Sequence, residues 1–406
     1  MRFAVAWRNL LAKPVQNSLT VVVAAMSIAM MVTVTLLAGG IQAGLVRATE
    51  PFDLIAGAKG SPNQLVLNTV FLQDTPIGNI DYAVYGKIAN NPLVAAAIPL
   101  AFGDNYKGYN IIGAGNGIFK HQAKTGQPEW LQMAEGRPFT EPFEAVIGAR
   151  AAQALGLKFG DEFKSVHGSI AGGESHDRPY RVVGLLQSVN GPYDHAILVS
   201  IASIWEAHEK HEPGLAAAEN TESHDDHDHE QAVTAILIKP KGYSEAMRLY
   251  QQFQREPAAQ IVFPAQVIVQ LFAILGQGEQ ALKTVAYIIV AMGLMIMVLS
   301  IYWSALSRAR ERAILRALGA STHDVFAIIF TEGAIISLTG VIVGSLLGHG
   351  VYALLAGAAA SKTAIALTTG ITSAEVYIAV GGAIVGMIAG LIPAVLTYRT
   401  DIVQNL

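Results

Sequence analysis

The sequence predicts an α-helical membrane protein, with four transmembrane helices and an α+β extracytoplasmic domain between the first and second. Three observations predict it. Of 406 residues, 52% are hydrophobic and 14% charged, with a mean hydropathy of +0.40, against roughly 25% charged in soluble globular chains. The charges are also segregated. Residues 41–283 carry 18 Lys and Arg and 26 Asp and Glu, a net of −8, whereas the other 163 residues carry nine and five. Finally, four apolar stretches reach the roughly 20 residues needed to cross a hydrocarbon core. This pattern excludes a wholly soluble enzyme, a disordered chain, a disulfide scaffold and a basic nucleic-acid binder. With no cysteine, thiolate metal sites, thiol catalysis and a cysteine-linked lipid anchor are excluded as well.

In chain order, residues 1–17 form a cytoplasmic segment bearing Arg2, Arg8 and Lys13. Residues 18–40 are the first span, uncharged from Lys13 to Arg47. Its apolar run exceeds the 7–15 residues of a signal-peptide core, so it reads as a retained anchor. The outer domain occupies 41–283, and 284–306 form the second span. Residues 307–323 form a cytoplasmic loop with Arg308, Arg310, Arg312 and Arg316. The third span, 324–355, is interrupted only by Glu332. Residues 356–374 make a short outer loop whose one charge is Lys362. The fourth span is 375–398, and 399–406 are a cytoplasmic tail starting with Arg399. Basic residues gather in cytoplasmic loops, so both termini lie inside and 41–283 outside. In a bacterium with two membranes this means a multi-pass inner-membrane protein with a periplasmic domain. Gly340, Gly344 and Gly348, and likewise Gly382, Gly386 and Gly390, recur at i+4 and form ridges for close helix packing in lipid. They suit packing of spans three and four, with a homodimer seam as the alternative.

In the outer domain, apolar runs bounded by Gly and Pro predict strands at Ala145–Ile147, Arg181–Leu186, Ala196–Ser200 and Val233–Ile238. Helices are predicted at Ala149–Leu155, Ser244–Arg255 (capped by Ser244) and Ala265–Leu275. The last leads through Gly276 and Gly278 into the second span as a stalk. The stretch Gly113–Gly117 lacks the spacing of a phosphate loop and reads as a turn. Residues 206–230 hold nine acids, one lysine, and His208, His211, His224, His227 and His229. That composition predicts a flexible insertion. His208 and His211 would share a helix face at i+3, and His224, His227 and His229 are the candidate ligands of a weak zinc site. The alternative is a solvated acidic insertion that picks up divalent metal without a role. Nothing resembles a catalytic centre, so no enzyme activity is expected of the chain.

The loop Ser307–Ser321 reads as a short helix. Arg308, Arg312 and Arg316 line one face at a small like-charge cost, Ile314, Ala317 and Leu318 form an apolar stripe, and Gly319 ends the helix. Such a helix either lies on anionic membrane lipid or docks in a groove of a cytosolic partner.

Here the sequence resembles the FtsX-like/MacB-type ABC transporter permeases, which include the LolC and LolE proteins. The resemblance rests on Arg310-Glu311, Ile314 to Ala320, Glu332 and the glycines that follow, Ala6-Trp-Arg-Asn-Leu10, and Ile392-Pro393-Ala394 with Tyr398-Arg399. In the outer domain, Ala145–Gly148, Leu155–Asp161 and Tyr180–Gly184 resemble the MacB-type periplasmic core. The resemblance implies a dimer of permease subunits and a separate cytosolic ABC ATPase subunit holding ATP and Mg, with no cofactor bound by this chain. It implies that Arg310, Glu311, Leu315, Arg316, Leu318 and Gly319 couple ATP hydrolysis to the outer domain, a mechanotransmission that exports or extracts a lipoprotein, peptide or amphipathic cargo, with a periplasmic or outer-membrane partner. Glu332, an acid within a span, is expected to pair with a loop arginine. Two rivals remain: a zinc-linked transport or sensing component using His224, His227 and His229, and an FtsX-like regulator of a periplasmic hydrolase.

Overall fold

The computed structural model describes residues 2–168, 176–209, 231–307, 320–363, 367 and 370–398. It divides into two compact units. One comprises Met1–Gln42, Leu275–Ala358 and Leu367–Leu406; the other comprises Ala43–Ile274 and Ala359–Ala366.

The first unit is helical. Helix α1 (Arg2–Ala12) is followed by α2 (Pro14–Ala48), which starts on a proline, the residue best suited to a first helical position. The sequence reading made no helix of 1–17. In α1, Phe3, Trp7 and Leu11 fall at i, i+4 and i+8 and stay exposed, the pattern of a helix lying in a membrane interface. Among the described residues, four helices are long and apolar enough to cross a membrane: α2, Gln280–Ser304 within a longer helix, His323–Ala360 within another, and Ser373–Ile392.

In lipid, backbones are drawn together by packing and hydrogen bonds rather than by hydrophobicity, and the polar residues of α2 are placed accordingly. Thr20 meets Ser300 at 2.6 Å, Ser27 donates to the Ile289 carbonyl at 3.4 Å, and Thr33 donates to the Gly348 carbonyl at 3.0 Å. The Gly340/Gly344/Gly348 ridge lies against the first span. A Cβ on Gly344 would stand 2.5 Å from the Ala25 carbonyl oxygen, and one on Gly348 would stand 2.7 Å from that of Ala29. This corrects the expected partner of that ridge, the fourth span. The fourth span's own glycines divide: Gly386 and Gly390 meet Ser337 and Gly333 of the third span, while Gly382 meets Ile28 of the first. The first span thus sits between partners that its own sequence, with no glycine ridge, does not advertise.

In chain order, the second unit has strands β1 (Leu54–Gly57), β2 (Ile80–Asp81), β3 (Val94–Tyr106), β4 (Tyr109–Ala114), β5 (Met133–Gly136), β6 (Glu144–Ile147), β7 (Glu162–Phe163), β8 (Val166–His167), β9 (Tyr180–Leu186), β10 (Ile197–Ser200), β11 (Ala232–Val233), β12 (Ala235–Pro240) and β13 (Gln260–Val262). Its helices are α3 (Pro62–Phe71), α4 (Tyr82–Ala89), α5 (Ala149–Leu155), α6 (Ile201–Glu209) and α7 (Tyr243–Gln254), followed by the start of α8 (Pro264–Ser307). The other helices among the described residues are α9 (Thr322–Thr363) and α10 (Ser373–Tyr398). The main sheet runs β13-β1-β12-β3-β4-β10-β6-β9-β5, with β7 on β9 and β8 on β3. It is mixed: β4–β10 and β6–β9 are parallel and the other pairs antiparallel.

Both faces are buried, which is why the strands read as unbroken apolar runs. Successive residues alternate between two cores: Ala145, Ile147, Ile197 and Val199 enter one, and Val146 and Leu198 the other. The first core is closed by α4, α5, α6 and α7, through residues such as Ile88, Ala151, Ile204 and Leu249. The second is closed by α3 and by the ends of two long helices, Leu45 and Val46 of α2 and Val267 and Ile268 of α8.

Two details depart from expectation. The strand read at Val233–Ile238 is two, because the Thr234 hydroxyl turns aside to accept from Phe102 N at 3.1 Å and Val233 pairs with Ile80 in a separate two-stranded sheet. Helix α7 is capped at Gly242, with Tyr243 as its first residue, and not at Ser244.

The glycine ridge gives a direct test. Overpacking a close contact costs about 1–3 kcal/mol. Gly344→Leu is expected to lower the melting temperature of the detergent-purified chain, followed by fluorescence-detected gel filtration. Gly350→Leu, where a Cβ meets nothing within 4 Å, leaves it unchanged. Equal melting temperatures for the two variants would contradict the packing described.

Candidate functional site

The outer unit gathers one carboxylate and three imidazoles from four separate stretches of chain. Asp104 lies on β3, where the register against β4 slips from Phe102–Ile112 to Asp104–Ile111, leaving Gly103 as the extra residue. A bulge of this kind re-aims the side chain beside it. His167 is the cross-strand partner of Asp104 on β8. That short strand is held by Gly168 N donating to the Gly103 carbonyl at 2.7 Å and by Asn105 Nδ2 donating to the Gly168 carbonyl at 2.6 Å. The backbone N–H of His176 donates to Ser165 O at 3.0 Å, which sets its ring beside the other two. His208 comes from the last turn of α6.

Helix α6 can approach because β4 carries Gly113: a Cβ there would meet Ile204 Cγ1 at 2.6 Å. The Gly113–Gly117 stretch is therefore the end of a strand, followed by a turn into a short 3₁₀ helix at Asn116–Lys120. No phosphate loop forms there.

The distances are short. Asp104 Oδ1 stands 3.6 Å from His167 Nδ1, 3.3 Å from His176 Nε2 and 3.4 Å from His208 Nε2. His167 Nδ1 and His208 Nε2 are 3.1 Å apart. Asp104 is fully buried and His176 nearly so, whereas the His167 side chain is 60% exposed, so the cluster opens to solvent on that side. His208 Nδ1 lies 2.6 Å from the Ile204 carbonyl. A carbonyl only accepts, so Nδ1 carries the proton and Nε2 turns toward the cluster. Burial pushes the Asp104 carboxyl up, but hydrogen bonds and charge from His208 and His176 outweigh it and hold the group below its ordinary value. The Asp104 hydrogen bond raises His208 above its ordinary value, against the opposing effect of burial. Among the described residues these four alone bring three or more His or carboxylate groups within metal-ligand range of one another.

Of the expected site residues, Arg310, Glu311, Leu315, Arg316, Leu318 and Gly319 lie outside the described residues, as do His211, His224, His227 and His229. Glu332 is buried in α9 and accepts a hydrogen bond from Asn9 Nδ2 at 2.6 Å, a partner the sequence reading did not name. It also missed a buried pair at the start of α10. Glu375 Oε2 accepts from Thr372 N at 2.8 Å, and Glu375 N donates to Thr372 Oγ1 at 3.4 Å. This is a capping box, whose Thr-x-x-Glu signature stands in the sequence. The other oxygen of Glu375 lies 2.6 Å from His349 Nδ1 on α9, so the cap also ties two spans together.

Seating α6 is what delivers His208. Gly113→Val is expected to loosen that helix by about 1–3 kcal/mol, read as about ten- to a hundredfold faster amide hydrogen exchange across Ile201–Ala207. Unchanged exchange would contradict the close approach.

A family model described as the MacB-like periplasmic core domain matches residues 18–246, and one described as the FtsX-like permease C-terminal matches residues 283–402. YvrN, an uncharacterized ABC transporter permease of Bacillus subtilis (strain 168), is 25% identical over 236 residues, covering 55% of this chain and 55% of that protein. The chain therefore spans about half the length of the curated relative it matches. The solved extracellular domain of YknZ, an ABC-type transporter from Gram-positive bacteria, is similar at 12% identity and a TM-score of 0.31, over 52% of this chain and 98% of that one. The periplasmic-core match alone spans more than half of the sequence, and the apolar helices fall on either side of the mixed-sheet domain: the chain belongs to the FtsX-like, MacB-type family of ABC transporter permeases.

Proposed function

We propose that this permease is the membrane subunit of a complex in which a separate cytosolic ABC ATPase subunit drives work on the outer domain. The observation that carries this reading is the length and continuity of two helices. Helix α2 runs unbroken for 35 residues and α8 for 44, about 52 and 66 Å at 1.5 Å per residue. A hydrocarbon core takes only about 30 Å. Thr20 and Ser27 of α2 are bonded within the helical bundle, while Leu45 and Val46 are packed into the sheet domain. Helix α8 continues through Gly276 and Gly278 without a break. In this reading motion passed along these helices reaches the outer domain, so no substrate channel through the bilayer is required.

In this reading 307–323 is the coupling element. Its arginines keep it cytoplasmic, and Leu315 and Leu318 supply the apolar contact with the ATPase. Both termini are cytoplasmic, the sheet domain faces the periplasm, and two permease subunits pair in the inner membrane. The cargo is a lipoprotein, peptide or other amphipathic molecule handled on the outer side, where the work is delivered.

Placing a carboxylate at Leu315, one of the coupling residues, breaks the contact with the ATPase. Leu315→Asp is expected to lower permease-stimulated ATP hydrolysis in proteoliposomes to the level of the ATPase subunit alone, with expression and membrane insertion intact. Stimulation equal to that of the unaltered chain would overturn the coupling assignment.

A further inference from the structure

We infer that Asp104, His167, His176 and His208 form a binding site for a divalent cation of the zinc class, distinct from the histidines at 224–229.

The geometry of the donors carries the inference. Zinc binds imidazole nitrogen at about 2.0–2.1 Å and carboxylate oxygen at about 2.0–2.2 Å, almost always as a tetrahedron in structural sites. Four donors at those radii stand about 3.3–3.4 Å from one another. The separations here are 3.1, 3.3, 3.4 and 3.6 Å, and all four ligand atoms lie within 4.8 Å of one another. The three rings stand at 65–79° to each other with centroids 5.1–6.1 Å apart. They converge on one point and do not stack.

The second reason is the donor chemistry. Metal-binding histidines characteristically donate their remote N–H to a carbonyl or carboxylate, which fixes the tautomer that presents a lone pair. The Ile204 carbonyl does this for His208. Its Nε2 faces both a buried carboxylate oxygen and the Nδ1 of His167. Protons hold such donors together in the absence of metal, and a divalent cation binds by taking the place of those protons. The other oxygen of Asp104 is buried with no hydrogen-bond partner among the described residues, so it keeps lone pairs that a cation could take. Three nitrogens and one oxygen favour zinc, or cobalt and nickel, over magnesium and calcium, which demand oxygen donors.

Position gives the site a consequence. It joins β3, β8, the chain at His176 and the end of α6, elements otherwise linked by a two-residue strand and a few backbone bonds. A bound cation would lock these together beside the bulge of β3, and the exposed His167 gives it an entry path.

The test uses the full chain in detergent, stripped with chelator, loaded with Zn²⁺ and desalted, with metal read by mass spectrometry. The triple variant His224→Ala/His227→Ala/His229→Ala is expected to retain one zinc per chain. Adding His167→Ala, an exposed residue whose loss spares the core, is expected to weaken binding at least about a hundredfold, beyond what loss of an outer-shell partner alone brings. Adding His176→Ala should do the same. Co²⁺ in the triple variant should give the strong visible absorption of a four-coordinate ion, and that absorption should vanish with His167→Ala. The inference is overturned if the triple variant holds no zinc, if the His167→Ala chain binds as tightly as its parent, or if Mg²⁺ and Ca²⁺ compete equally with Zn²⁺. None of these readouts depends on an ATPase partner, so they stand apart from the coupling proposal.

Discussion

A hydrocarbon core offers no water to a peptide group, so every backbone N–H and C=O that crosses it must be satisfied within its own helix. The rest of this protein follows from that constraint. It accounts for the four long uninterrupted helices and for the scarcity of charge outside residues 41–283. It also dictates how the helices adhere. Without a hydrophobic drive between them, α9 and α10 approach through glycine, and α2 through Thr20, Ser27 and Thr33. The two buried acids of the spans, Glu332 and Glu375, are each hydrogen-bonded, to Asn9 and to His349 with Thr372. A polar group left unsatisfied there would cost several kcal/mol.

Outside the membrane the constraint changes and the architecture changes with it. The sheet domain buries both faces of a mixed sheet, and α2 and α8 contribute their ends to one of its two cores. Each of those helices obeys lipid along one part of its length and water along another. The His-Asp cluster lies in the other part of the domain, on short strands and a short helix, where a cation adds cross-links that the backbone does not provide.

The large-scale plan was legible because it rests on composition. Spans and the α+β outer domain follow from where charge is absent and where apolar runs are broken by Gly and Pro. Local rules also served where they were strong: Ala149–Leu155 is a helix with the predicted limits. What stayed hidden depends on contacts between distant residues. The Gly340 ridge was plain, but its partner on α2 is built from Ala24, Ala25 and Ala29, which look like any apolar span. Asp104, His167, His176 and His208 are spread over more than a hundred residues with no ligand spacing. The bulge at Gly103, the pairing of β8 with β3, the backbone bond from His176 to Ser165 and the seating of α6 on Gly113 bring them together. His208 was noticed for its neighbour His211, at i+3 in sequence, whereas its actual company comes from other strands. A dense His-Asp run draws attention to itself, and a site assembled by topology does not.

The central proposal is that this permease works with a separate ABC ATPase subunit. The most direct measurement is purification from native membranes in mild detergent, with identification of co-purifying proteins and an assay of ATP hydrolysis. The account predicts an ABC ATPase subunit in near-equal amount, with hydrolysis inhibited by vanadate. A chain that arrives alone and inert, under conditions that preserve other membrane complexes, would contradict it.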